Sequence, residues 1–159
     1  LNLCSIYKWE RSDNGIGLSC IDCHNTFLNK CGIHNNTVHT SDQKALTCGA
    51  GVYCKKCYSV WINGCIFSSN SGSHLGGGLC LLHTSKSIIS LSYFKENSVQ
   101  KGGGAGFVKY GRKLLICNTV YRNNYGNTHG GALDIINIKN LIDFLNSTFI
   151  GNLLITVKS

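Results

Sequence analysis

Two stretches of this chain carry chemistry-bearing residues at matching positions. Cys20, Cys23 and Cys31 recur as Cys54, Cys57 and Cys65, each displaced by 34 residues. Cys-x-x-Cys written twice is a spelling used for zinc, because four thiolates on two short turns can close on one tetrahedral ion. Cys20, Cys23, Cys54 and Cys57 are therefore the candidate ligands if the chain holds a metal. The competing readings need none. Cys20 and Cys54 fall in phase with apolar Leu18 and Val52, where a thiol packs as a small apolar group. Stacked strands also bring Cα atoms within disulfide reach. We expect disulfides or buried thiols and assign no cofactor. Cys20-Ile21-Asp22-Cys23-His24 also spells a c-type haem attachment. The second copy has Tyr58 in place of His24 and the chain has no Met, although another His could serve as an axial ligand.

Acid–base chemistry has thinner support. Cleaving a polysaccharide calls for clustered carboxylates, either holding calcium or working as an acid/base pair. The acids are Glu10, Asp13, Asp22, Asp42, Glu96, Asp134 and Asp143. Asp134, just after Gly130-Gly131, is the best placed. Its strand phase points outward, and its expected stacked equivalents are Gly106, Cys80, Tyr53 and Ser19. None is a carboxylate, so Asp134 is expected to be solvated. Of the six His (24, 34, 39, 74, 83 and 129), His74 and His129 precede Gly-Gly corners and read as loop residues. No catalytic residue is assigned. The alternative is a polysaccharide lyase or hydrolase whose acidic site lies outside this segment.

The elements that position these residues form a repeat, which must be found before anything else. One half is a small-residue start: Gly15-Ile16-Gly17-Leu18, Gly49-Ala50-Gly51-Val52, Gly76-Gly77-Gly78-Leu79, Gly102-Gly103-Gly104-Ala105 and Gly130-Gly131-Ala132-Leu133. The other is an aromatic or Ile followed three residues later by Asn: Ile33/Asn36, Phe67/Asn70, Phe94/Asn97, Tyr121/Asn124 and Phe149/Asn152. The Asn spacings are 34, 27, 27 and 28. The seven-residue excess falls in the polar stretch His39–Lys44, so residues 37–48 are expected to form an extended surface loop. Counting back 27 from Cys31 and Ile33 gives a further half-copy at Cys4 and Ile6.

Within each copy the period is two. Val52 and Cys54, Leu79 and Leu81, Ala105 and Phe107, and Leu133 and Ile135 alternate with other residues, which is the strand pattern. Second apolar runs follow at 88–91, 114–116 and 141–145. One coil cannot bury its own apolar face, but stacked coils can. The fold expected is all-β: a right-handed, single-stranded parallel β-helix of about five coils, in one domain spanning 1–159. Asn36, Asn70, Asn97, Asn124 and Asn152 should form an inward ladder, each amide bonded to backbone and to the Asn stacked on it. A column Cys4, Cys31, Cys65, Ser92, Thr119, Ser147 lies two residues before each aromatic or Ile. Its small side chains imply a size limit.

Phe94-Lys95-Glu96-Asn97 with Gly102-Gly103-Gly104-Ala105, and Tyr121-Arg122-Asn123-Asn124 with Gly130-Gly131-Ala132-Leu133, resemble the repeat signature of the polymorphic outer-membrane proteins of chlamydiae. Phe67-Ser68-Ser69-Asn70 with Gly76-Gly77-Gly78-Leu79 does too, and Cys-rich trichomonad surface proteins are similar. The resemblance covers about residues 31–152 and implies a β-helix on a cell surface, associated with adhesion. Gly49-Ala50-Gly51-Val52 and Ile33 depart from the pattern.

Composition agrees with export. Ten Cys in 159 residues favour an oxidising compartment, and Asn35-Asn36-Thr37 and Asn146-Ser147-Thr148 are sequons that would carry N-glycans at Asn35 and Asn146. The lack of Met suggests a processed product or a segment of a longer protein. No run of 18 apolar residues is present, so a membrane would be met only through parts outside this chain. The net charge is +8, with seven basic and two acidic residues in 101–159. Lys109, Arg112, Lys113 and Arg122, with Lys86 and Lys139 on neighbouring coils, are the candidate surface for a polyanion or acidic partner. The expectation is a non-catalytic, extracellular or cell-surface scaffold that binds a protein or an anionic glycan. No nucleic-acid partner is expected.

Overall fold

In the computed structural model, residues 4–7, 10–11, 17–39, 47–152 and 155–158 are described. Among them there is no helix. The chain winds through four parallel sheets, and each strand pairs with its equivalent one repeat away. The first sheet holds Leu18–Ile21, Val52–Lys55, Leu79–Leu82, Gly106–Lys109, Leu133–Ile136 and Ile155–Lys158. The second holds Asn25–Asn29, Ser59–Asn63, Lys86–Ser90, Lys113–Cys117 and Leu141–Leu145. The third runs from Ser5–Tyr7 through Gly32–His34, Ile66–Ser68, Tyr93–Lys95 and Val120–Arg122 to Thr148–Ile150. The fourth is made of two-residue strands such as Thr37–Val38, Ser71–Gly72 and Ser98–Val99. This is the parallel β-helix that the repeat predicts.

The interior is built column by column. Phe67, Phe94, Tyr121 and Phe149 stack with ring centroids 4.5, 4.9 and 4.8 Å apart, near the spacing of adjacent strands. The five Asn form a continuous ladder. Asn36, Asn70, Asn97 and Asn124 each donate from Nδ2 to Oδ1 of the next Asn at 2.9–3.0 Å. The same Oδ1 accepts the backbone N–H of the Asn below. The Cys/Ser/Thr column is a second ladder rather than mere small packing. Cys65 Sγ accepts the Cys31 N–H and donates to the Asn63 carbonyl. Ser92 and Thr119 repeat that pattern with hydroxyls.

Besides the left-handed glycines Gly49, Gly76 and Gly103 ahead of the first sheet, the coil turns at three left-handed corners. Asp22, Lys56, His83, Tyr110 and Asn137 occupy the first, with φ of 54–59°. Lys30, Gly64, Leu91, Asn118 and Asn146 occupy the second, and Asn35, Ser69, Glu96, Asn123 and Gly151 the third. The third corner immediately precedes the Asn ladder. Most of these residues are not Gly, and each would be disfavoured alone; coil stacking holds them there.

Two expectations are corrected. In the fourth copy Gly106 and Val108, not Ala105 and Phe107, pair with Leu79 and Leu81. Leu133 packs its Cδ2 into the space beside Gly106 that a side chain would take, so a glycine stands at an inward position and the apolar pattern slips by one. The loop boundaries 37–48 are too wide: Thr37–Val38 is a strand and Cys48 is buried, bridging to Leu75. Residues 40–46 lie outside the described residues. His74 lies in a bend between strands, as expected of a loop residue, but it is buried and within bonding distance of Thr47.

Candidate functional site

The first sheet is covered on its outer side as well. The segments ahead of it, carrying Cys48, Leu75 and Gly102, bridge to one another and fold over Tyr53, Cys80 and Phe107. This makes a second small core, closed by a Cys48–Cys80 disulfide. Asp134 sits in this column, paired in register with Phe107 rather than Gly106, and is 2% exposed. It is not the solvated side chain its phase suggested, because the covering segment shields it. Its Oδ1 has no hydrogen-bond partner among the described residues. Burial pushes the carboxyl above its ordinary range, with His129, Lys158 and Lys109 opposing. Asp143 lies on the outer face of the second sheet and Glu96 at a third corner, paired with Lys95 at 3.2 Å. Asp13 and Asp42 lie outside the described residues. Asp134, Asp143 and Glu96 thus stand apart from one another.

The second sheet presents its outer face to solvent. Phe27, Trp61, Ile88, Leu115 and Asp143 form its central outward column. Phe27 is 53% exposed and Trp61 39%, with ring centroids 6.0 Å apart. On one flank, Asn63 Nδ2 donates to Asn29 Oδ1 and Ser90 Oγ donates to Asn63 Oδ1, both at 2.9 Å. On the other, Lys86 is in register with Lys113 and places Nζ 5.1 Å from the Trp61 ring centroid. A shallow depression of about 350 Å³ runs along Phe27, Asn29, Trp61, Asn63, Ile88 and Ser90.

The corner between the first and second sheets continues this surface. His24 stacks on Tyr58 at 5.1 Å, and His83 on Tyr110 at 4.8 Å. Lys109 Nζ lies 4.6 Å from the Tyr110 ring centroid. Arg112 and Lys113 follow and are exposed, and Lys139 donates its backbone N–H to Gly111. The fold thus gathers Lys109, Arg112, Lys113, Lys86 and Lys139 along one corner. Arg122 is not among them. It stands on the third sheet in register with Lys95. Phe27 and Trp61 escaped sequence reasoning, although they carry the 34-residue offset of the cysteines. The sequon residues Asn35 and Asn146 are both exposed, each at a left-handed corner.

The paired Cys-x-x-Cys stretches do come together. Cys20 and Cys54 are register partners at the end of the first sheet, and the corners that carry Cys23 and Cys57 stack. Among the described residues, however, no group of three or more His, Cys, Asp or Glu is arranged to hold a metal ion.

No family model matches the sequence, and neither a curated protein nor a solved structure does.

Proposed function

We propose that this β-helix is a non-catalytic, extracellular or cell-surface scaffold that holds an extended anionic glycan along the second sheet and its adjoining corner. The observation that carries this reading is the exposed Phe27–Trp61 pair with Lys86 seated over Trp61 and Lys113 one coil beyond. Aromatic faces stack against the apolar faces of sugar rings, the Asn29–Asn63–Ser90 row supplies amide and hydroxyl groups, and the lysines supply charge for carboxylates or sulfates. Side chains recur about every 4.8 Å along such a face, which suits a polymer rather than a compact substrate. The disulfide and the surface-protein resemblance of the repeat support the extracellular setting. The separation of Asp134, Asp143 and Glu96 among the described residues favours binding over cleavage.

The test is affinity of the full chain for heparin and polygalacturonate, with dextran as the neutral control. Lys86→Glu with Lys113→Glu should weaken polyanion binding about tenfold or more, equivalent to about 1.4 kcal/mol. Added salt should weaken it as exposed charges are screened. Trp61→Ala should weaken it without altering the salt dependence. Binding indifferent to all three would refute this reading, and release of new reducing ends would replace it with an enzyme.

A further inference from the structure

The two stacked Cys-x-x-Cys motifs form a thiol cluster confined to two coils. Further along the stack the positions of Cys20 and Cys54 become Leu81, Val108 and Ile135. Those of Cys23 and Cys57 become Thr84, Gly111 and Ile138. Within the cluster Cys54 and Cys57 are fully buried, while Cys20 and Cys23 are half-buried. Cys57 Sγ points at the Cys20 carbonyl at 3.6 Å and receives the Thr26 hydroxyl at 3.9 Å. Cys54 is the register partner of Cys20, and its thiol interacts electrostatically with those of Cys20 and Cys57. Register partners on parallel strands lie about 4.8 Å apart, inside the roughly 4.4–6.8 Å Cα range of a disulfide.

We propose that this cluster is a redox-active dithiol, in which half-buried Cys20 reacts with a low-molecular-weight disulfide and buried Cys54 resolves the adduct into an inter-coil Cys20–Cys54 disulfide. The Cys20 thiolate attacks one sulfur of the small disulfide RSSR. The RS–SR bond breaks, the Cys20 Sγ–SR bond forms and RS⁻ leaves, taking the proton of the Cys54 thiol. Cys54 Sγ then attacks Cys20 Sγ and expels the second RS⁻, which takes a proton from water. Two cysteine sulfurs lose two electrons in all, and RSSR is reduced to two RSH.

The surroundings divide the roles. Hydrogen bonding from Cys54 lowers Cys20 to about 7 against the opposing effect of burial, so the accessible sulfur is a thiolate for much of the time near neutral pH. Cys57, lowered to about 6 first of all by Cys54, stays inside. Hydrogen bonding to Cys20 and Cys57, then burial, raises Cys54 well above an ordinary thiol; it is the partner that waits. The Cys48–Cys80 disulfide lies in the outer core and takes no part.

The experiment treats the folded chain with oxidised glutathione and maps the links by mass spectrometry of proteolytic fragments. A Cys20–Cys54 link is expected. Cys54→Ala should stop the reaction at a Cys20–glutathione mixed disulfide and slow Cys20 alkylation at neutral pH about tenfold, since the lost thiolate fraction is only partly offset by higher nucleophilicity. Cys20→Ser should abolish the reaction while the far-UV circular dichroism spectrum stays that of wild type. A link joining Cys23 to Cys57, four unreactive thiols in the folded chain, or one tightly held zinc protecting all four would each overturn the proposal.

Discussion

Replacing Asn97 by Leu removes one rung from the middle of the ladder, and the structure sets the size of the loss. Asn97 Nδ2 donates to the Phe67 carbonyl and to Asn124 Oδ1, at 2.9 and 3.0 Å. Its Oδ1 accepts the Asn70 backbone N–H and Asn70 Nδ2, at 3.1 and 2.9 Å. All of this is buried, with Asn97 and Asn70 0% exposed. After the substitution Asn124 Oδ1 still receives the Asn97 N–H. The Asn70 backbone N–H and one Asn70 amide hydrogen are left with no acceptor. Two orphaned donors at about 1–3 kcal/mol each give a loss of about 2–6 kcal/mol, a large part of the roughly 5–15 kcal/mol that holds a typical domain. At about 2–4 °C per kcal/mol for a chain of this size, the melting temperature should fall by about 10 °C. The assay is urea unfolding followed by far-UV circular dichroism, with the m-value compared to wild type so that a change in cooperativity is not mistaken for one in stability. Asn152→Leu is the internal comparison. Asn152 makes the same kinds of bond but is only half-buried, so water can replace them and the loss should be smaller. An Asn97→Leu protein within about 0.5 kcal/mol of wild type, or one no weaker than Asn152→Leu, would refute the ladder as a source of stability.

Three further outcomes follow from single side chains. Tyr121 is fully buried in a column of Phe, with its hydroxyl unpartnered among the described residues; Tyr121→Phe should therefore stabilise the protein by about 1–2 kcal/mol, and a lower melting temperature would show that the hydroxyl has a partner. Cys65→Ser should be nearly neutral, because Ser92 and Thr119 perform the same two bonds, whereas Cys65→Val should cost about 1–3 kcal/mol by orphaning the Cys31 N–H; equal melting temperatures for the two variants would contradict the second ladder. Burial raises the Asp134 carboxyl, so the folded state binds its proton more tightly than the unfolded chain. Stability from this group is complete below the unfolded value and is lost as pH rises through the folded one; Asp134→Asn should flatten that decline in a melting series from about pH 3 to 7, and an unchanged slope would place the titration elsewhere.

What the sequence makes legible here is whatever recurs in every coil. The Asn and aromatic columns are read correctly because each copy must solve the same buried hydrogen-bonding and packing problem with the same residue. The corners were less legible. Among the described residues thirteen that are not Gly adopt positive φ, and types as different as Lys, Leu, Tyr and Glu serve, so at these corners the compositional trace is little more than a surplus of Asn. The slip at Phe107 has a related cause. Gly106 occupies an inward position without a side chain, and alternation read from side chains alone then shifts by one. Asp134 inherits the same error, and its burial depends on a covering segment that strand periodicity does not report.

The columns proposed to carry function differ in that they break the repeat, and of these only the cysteines stood out in the sequence. At the 34-residue offset the two N-terminal coils share Cys20/Cys54, Cys23/Cys57, His24/Tyr58, Phe27/Trp61 and Asn29/Asn63. One coil further these become Leu81, Thr84, Ser85, Ile88 and Ser90. A scaffold that needed only to fold could use the later solution throughout, since Leu81 and Thr84 are buried in the same register. The thiols and the exposed rings therefore mark the same pair of coils as chemically distinct, on the two sides of one corner. Thr26 joins them. It is buried beneath the aromatic face, next to Phe27, and its hydroxyl reaches Cys57. If an inter-coil disulfide moves Cys57, Thr26 carries the displacement to the Phe27 strand. Oxidation with glutathione should then change polyanion affinity in wild type and leave it unchanged in Cys20→Ser. Identical affinities for the oxidised and reduced wild-type protein would make the two sites independent neighbours on one scaffold.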